Sequence, residues 1–161
     1  MQVMVQRTRQ FRFNPALRKR IKSLQARGIR VGCVRKDELP ALDRFLARHF
    51  PAWREGNRRG VEAGNAVIVA NRAGRVLGFS GPYRVGPRGA GGFSAVGVAP
   101  KARGLGLGAV IFNLMCAQLK AQGARVVHLT TNLDNPGQEL YHRAGFRTCC
   151  VADCGMRKEL T

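Results

Sequence analysis

Apolar and polar positions alternate briefly at the start of the chain, in Met1-Gln2-Val3 and again in Phe11-Arg12-Phe13. Residues 1–13 therefore read as an extended arm. A helix signal follows: Asn14 can cap, Pro15 suits the first turn, and Gly28 can close the end. Leu17, Ile21 and Leu24 fall at i, i+4 and i+7 and form one narrow apolar stripe among Arg and Lys. Such a helix must dock on the body of the protein or on another domain. Residues 29–34 read as a strand, and Asp37 then caps a helix over 38–49 with Leu39, Leu42, Phe45 and Leu46 on one side. Pro51 breaks the chain, and 52–63 form a second, more polar helix.

Residues 66–70 predict a buried strand, joined by the turn Asn71-Arg72-Ala73-Gly74 to another at 75–81. The stretch 81–92 holds five glycines and two prolines and reads as a loop. A strand follows at 93–98. Between 105 and 122 the apolar residues Leu107, Val110, Ile111, Leu114 and Met115 recur at helical spacing, and Gly123 ends the run. Residues 125–130 form a strand of Val and Leu, 136–144 a short helix stopped by Gly145, and 146–151 and 155–160 a pair of closing strands. Strand, two helices, three strands, helix, strand, helix and two strands make an α/β (α+β) layer architecture around one mixed sheet. The basic arm and helix occupy 1–28, and the main domain 29–161.

Composition changes this picture in three ways. Apolar residues make up 45% of 161 positions, which suits one globular domain with a core. Net charge is +19, and the first thirty residues carry nine Arg or Lys and no acid, so anionic partners are favoured: nucleic acid, a membrane surface or a phosphorylated cofactor. The basic residues are spread along the chain without the aromatic interleaving of nucleic-acid readers. No apolar run reaches the roughly 18–20 residues of a membrane span. The start of the chain lacks a secretory signal, so a cytoplasmic protein is expected; the acid-free leader has some likeness to a mitochondrial transit segment, though it is poor in Ser. The odd count of five cysteines, Cys33, Cys116, Cys149, Cys150 and Cys154, argues against a disulfide framework, and Cys149, Cys150 and Cys154 read as small buried hydrophobes in C-terminal strands. The close trio at 149–154 lacks metal-site spacing and an adjacent His, so no metal is expected.

The chemistry concentrates in Val98-Ala99-Pro100-Lys101-Ala102-Arg103-Gly104-Leu105-Gly106-Leu107-Gly108, between a strand and a long helix. Alternate glycines let the backbone approach a ligand closely. The helix start leaves amides unpaired with a dipole that favours negative charge. Arg103 adds a guanidinium, and the whole forms a cradle for a pyrophosphate. The spacing is neither the dinucleotide G-x-G-x-x-G nor a P-loop.

The segment resembles the GNAT superfamily of N-acetyltransferases, whose hallmark is Arg/Gln-x-x-Gly-x-Gly/Ala; Arg103, Gly106 and Gly108 match it. Leu140-Tyr141-His142-Arg143-Ala144-Gly145-Phe146 resembles a second block of the family, Leu-Tyr-x-x-x-Gly-Phe. The likeness covers residues 29–160. It implies a GNAT-like central, mixed, splayed sheet flanked by helices, here preceded by a basic helix. It implies acetyl-CoA as cosubstrate, with Val96, Gly97 and Val98 along the pantetheine in the manner of an added strand. Arg103, Gly104, Leu105, Gly106, Leu107 and Gly108 would hold the pyrophosphate. Tyr141 takes the place of the tyrosine that protonates the departing thiolate in relatives. A strand N–H such as that of Val98 is placed to stabilise the oxyanion formed when an amine attacks the thioester.

Two departures from the family pattern stand out. Where relatives carry an Asn seven residues before the tyrosine this chain has Asp134; Asn132 and Asn135 flank it, and Asn135 is favoured for the pantetheine. The strand before the loop carries no acid, so the general base stays open among Glu55, Glu62, His128 and ordered water. The resemblance thus implies an acetyltransferase acting on the primary amine of a small molecule or peptide by direct attack in a ternary complex. A basic surface disfavours polyamines and favours an acceptor that carries negative charge. A different class of function, a non-catalytic acyl-CoA-binding regulatory or interaction module, draws on the missing strand acid. Likeness to one half of a tandem-domain member also raises a homodimer that recreates the pair. Nucleic-acid binding through the leader is the third reading.

Overall fold

The leading alternation is built into a sheet rather than left as an arm. The computed structural model describes residues 1–151, and its first strand, β1 (Gln2–Arg7), lies between two other strands. There follow α1 (Pro15–Ala26), β2 (Ile29–Cys33), α2 (Leu39–His49), α3 (Pro51–Glu62), β3 (Ile68–Arg72), β4 (Arg75–Ser80), β5 (Tyr83–Val85), β6 (Ala90–Phe93), β7 (Val96–Val98), α4 (Leu107–Ala121), β8 (Val126–Thr131), α5 (Gln138–Arg143) and β9 (Arg147–Val151). They make a mixed α/β fold with a five-stranded sheet ordered β5-β6-β8-β1-β9 and a four-stranded sheet ordered β2-β3-β4-β7. Among the described residues only the β6–β8 pairing is parallel.

The two sheets meet in one stretch of chain. The segment expected as a single strand at 93–98 divides at Ser94-Ala95 into β6 and β7. β6 pairs with β8 through Ala90, Gly91 and Gly92, opposite Val126, Val127 and His128. β7 turns instead to β4, with Val96, Gly97 and Val98 opposite Ser80, Phe79 and Gly78. Beyond His128, β8 keeps β1 on one side and has no strand on the other among the described residues. The sheet therefore splits open after the Gly92–His128 pair.

Helices close the faces. α4 and α1 pack on the four-stranded sheet and on each other, while α2, joined to α3, packs against β4. α4 buries Leu107, Val110, Ile111, Phe112, Met115, Cys116 and Leu119, a wider face than the five expected positions. Phe112 joins the sheets: its ring lies 5.6 Å from Phe93, 5.4 Å from Phe146 and 5.2 Å from Tyr141. On the opposite face, Phe45, Phe50 and Phe79 cluster beneath Gly97. A Cβ at Gly97 would sit 2.7 Å from Phe50 Cζ and 2.8 Å from Phe79 Cε1, so only glycine allows this approach.

Local signals hold in α1. The Asn14 side chain accepts from the Ala16 N–H at 2.9 Å, and Leu24 is buried with Leu17 and Ile21 against the core. Three expectations differ, and one falls outside the described residues. The 81–92 stretch is a hairpin of β5 and β6 with Tyr83 buried, because its glycines serve close packing: a Cβ at Gly91 would lie 3.1 Å from Ala124 and 3.3 Å from Leu119. Asp37 does not cap α2; the neighbouring Glu38 accepts from the Arg35 N–H and pairs with Arg30. β9 pairs with β1, and the partner expected for it at 155–160 lies outside the described residues. Cys149 and Cys150 are exposed rather than buried, since β9 is an edge strand among the described residues, and Cys154 lies outside them. No helix among the described residues is long and apolar enough to cross a membrane.

Candidate functional site

The split between β7 and β8 leads into the glycine loop. The Ala99 N–H donates to Leu77 O at 2.9 Å, and the Gly81 N–H to Ala95 O at 2.6 Å. Ala95 and Ala99 thus face β4, and by strand alternation Gly97 does too. Val96 and Val98 turn their N–H and C=O groups the other way, toward the edge that no described strand covers. That edge offers an extended amide ligand two residues of main-chain pairing. Of the three strand positions expected beside a pantetheine, Val96 and Val98 present backbone groups to it, and Gly97 is committed to β4 and the aromatic cluster.

A turn of 3-10 helix, Pro100–Ala102, carries the chain from β7 into the loop. Gly104 and Gly106 both take left-handed backbone, with φ of 79° and 76°. Gly106 is the residue before α4, and with no side chain it leaves the first-turn amides uncapped; no acid stands in that turn. The N–H groups of Leu107, Gly108 and Ala109 are therefore available with the positive end of the helix dipole behind them. Leu107 is buried and Leu105 half-buried, so these two anchor the loop while the glycines present backbone. Arg103 is exposed at the loop's start. A Cβ at Gly108 would be 3.8 Å from Val98 Cγ2, so the loop and the strand it follows are in contact.

One residue here was not legible in the motif. A Cβ at Gly106 would lie 3.3 Å from the Arg20 Nε, so the guanidinium of α1 lies against the glycine loop. Arg20 and Arg103 are both exposed, and no ion pair among the described residues involves either. The signal for it was the acid-free basic face of α1, but only the packing of α1 on α4 shows which of its cations reaches the loop.

On the β8 side, Asn135 and Tyr141 come together. The Asn135 side chain donates to Thr131 Oγ1 at 2.6 Å and accepts from the Gly137 N–H at 2.8 Å. It also hydrogen-bonds the Tyr141 hydroxyl. Burial pushes the Tyr141 phenol above its ordinary value, against the lowering effect of that bond, so the phenol holds its proton at neutral pH. The second sequence block finds its reason here: Tyr141 and Phe146 both pack on Phe112, and Gly145 takes a left-handed φ of 88° between them. Asp134 and Asn132 are exposed.

The base candidates separate. Glu55 is bound by Arg58 and Arg59, whose hydrogen bonds lower its carboxyl to about 2. Glu62 is exposed and paired with Arg58. Both belong to the solvent face of α3. His128 sits at the vertex of the split, in the last β6–β8 pair, with its Cε1 3.3 Å from where a Gly92 Cβ would be. Val127 and Leu129 are buried, so His128 points from the opposite, open face.

Residues 63–148 match the acetyltransferase (GNAT) domain family. No curated protein sequence matches the chain. Among solved structures, the GCN5-related glucosamine N-acetyltransferase region of a fungal multi-domain GH3 β-N-acetylglucosaminidase superposes with a TM-score of 0.76 at 22% identity; the match covers 91% of this chain and 19% of that one. A GNAT-family acetyltransferase from Colwellia psychrerythraea gives 0.66 at 15% identity, covering 91% of this chain and 52% of that one. An acetyltransferase from Trypanosoma brucei gives 0.60 at 20%, covering 78% and 96%. The chain thus spans less than two thirds of the first two proteins, and at these identities the likeness is one of fold.

Proposed function

Because the chain belongs to the GNAT acetyltransferase family, we propose that it is an acetyl-CoA-dependent N-acetyltransferase acting on a primary amine by direct attack in a ternary complex. The observation that carries this reading is the uncovered β7 edge running into a loop of two left-handed glycines and an uncapped helix start. These parts fit the two halves of CoA: an amide-bearing arm beside Val96 and Val98, and a pyrophosphate at the amides of residues 107–109 beside Arg103 and Arg20. Acetyl-CoA, when bound, supplies the acetyl thioester.

The chain's own residues do the rest. Val98 offers its N–H where negative charge develops on the acyl oxygen. Tyr141, kept protonated by burial and oriented by Asn135, donates a proton to the leaving sulfur. β6 and β7 carry no acid, and the Glu55 carboxylate at about 2 is too weak a base. His128, on the open face at the vertex, is placed to take the proton of the incoming amine. The acceptor enters from that face, and the basic surface favours an amine that also bears an anionic group. The exposed ring of Trp53 on α3 is stacked 5.3 Å from Phe50.

The test is release of free thiol from acetyl-CoA across a panel of primary amines. Release is expected to depend on the amine. In the His128→Gln variant it falls by about 100-fold at neutral pH, with acetyl-CoA affinity unchanged. Amine-independent release, or no release with any amine, contradicts the reading. Arg20→Ala is expected to weaken CoA about tenfold, with a shallower dependence on salt, while Arg18→Ala, on the same helix, leaves affinity unchanged. Titration calorimetry at two ionic strengths checks both.

A further inference from the structure

At the far end of the β6–β8 pair from the glycine loop, a cavity of about 570 Å³ is lined by Arg7, Arg9, Arg88 and Arg125, with Thr8, Gly89, Ala90 and Val126. None of residues 96–109 lines it, so this cavity is separate from the donor loop. We propose that it binds a small organic anion carrying two or more phosphate groups.

Four arginines line the cavity, and among the described residues no carboxylate does. Among the described residues no ion pair involves any of the four. Like charges brought together without a counterion favour an anion that spans them, and guanidinium forks match phosphate oxygens. The walls are fixed by backbone. The Thr8 N–H donates to Arg125 O at 3.0 Å, and the Arg125 N–H to Gly89 O at 2.8 Å. The Arg125 side chain donates from Nη2 to Arg88 O at 2.8 Å and from Nε at 3.1 Å. That grip holds the turn before β6, where Arg88 itself takes left-handed backbone with a φ of 60°. A glycine would sit there without strain, so an arginine at this position costs stability.

Size and floor narrow the ligand class. Val126 stands between Ala90 and Arg7 in the sheet and provides an apolar base. The volume falls within the range of small-molecule pockets. A nucleotide or a similar phosphorylated metabolite has both parts, phosphates for the arginines and an apolar body for the floor.

The test uses inorganic tripolyphosphate and ATP, titrated into the whole chain with CoA in excess so that the glycine loop offers no second phosphate site. Saturable one-to-one binding of both is expected, about tenfold weaker in Arg88→Gly and in Arg9→Ala. Arg88→Gly also relieves the left-handed strain, so its thermal midpoint should not fall; a loss of affinity in a protein at least as stable is not a folding effect. CoA affinity should be the same in both variants. Equal tripolyphosphate affinity in wild type and variants, or none in wild type, overturns the proposal. A single-stranded oligonucleotide that binds more tightly than ATP and weakens in the same variants overturns the small-ligand class. The comparison among variants holds whether or not CoA occupies the donor loop.

Discussion

Gly106→Val is expected to abolish acetyl-CoA binding at concentrations that saturate the wild type. The position takes a φ of 76°, and a side chain there costs about 1–2 kcal/mol of backbone strain, more when it is β-branched. The loop can relieve that strain only by moving the amides of residues 107–109. The new side chain would also meet Arg20, whose Nε lies 3.3 Å from the Cβ position, and drive it off the loop. Strain, lost amide geometry and a displaced cation act on one ligand, so affinity should fall at least about 100-fold. Gly108→Ala is the contrast within the same loop. Gly108 is outside the left-handed region, and its Cβ would find Val98 Cγ2 at an ordinary 3.8 Å. Its binding should stay within about threefold of wild type. Equilibrium titration of the two variants separates a conformational demand for glycine from mere smallness.

Tyr141→Phe is the second large effect, and it falls on turnover alone. The phenol hydrogen-bonds to Asn135 and its ring rests 5.2 Å from Phe112. Phenylalanine keeps the ring contact and loses only the proton donor. Turnover should drop by about 100- to 1000-fold, with acetyl-CoA affinity within twofold of wild type. Since burial raises the phenol above its ordinary value, the wild type should hold its rate to a pH above the usual tyrosine range. The variant should lack that alkaline limb. A rate close to wild type would remove Tyr141 from the proton transfer.

How much of this was legible in the sequence differs from element to element. α4 and its loop were readable because three signals agree there: helical spacing, alternate glycines and an arginine before them. β1 was not readable as a sheet strand because two of its three inward residues are polar. Gln2, Met4 and Gln6 are buried while Val3 and Val5 are half-exposed, the reverse of ordinary alternation. Tertiary bonds hold it: the Gln6 side chain donates to Ala144 O, and Gln2 accepts from Thr148 Oγ1 at 2.9 Å. Such bonds join residues more than a hundred positions apart, and no local pattern encodes them. The β5–β6 hairpin was hidden by its glycines, which usually punctuate turns. At the site, Arg103 and Tyr141 could be named from motifs because each stands at a fixed offset, whereas Asn135 lies one residue past the family's position and was a choice between two neighbours of Asp134. Arg20 and the four-arginine cavity depend on distant strands and helices meeting, which only the fold brings about.

The most direct test of the donor site is calorimetric titration of acetyl-CoA into the wild-type protein and the Gly106→Val variant. One saturable site in the wild type, with no measurable heat of binding in the variant, is the predicted result. Absence of binding to the wild type at near-millimolar acetyl-CoA, or equal binding to both proteins, would contradict it.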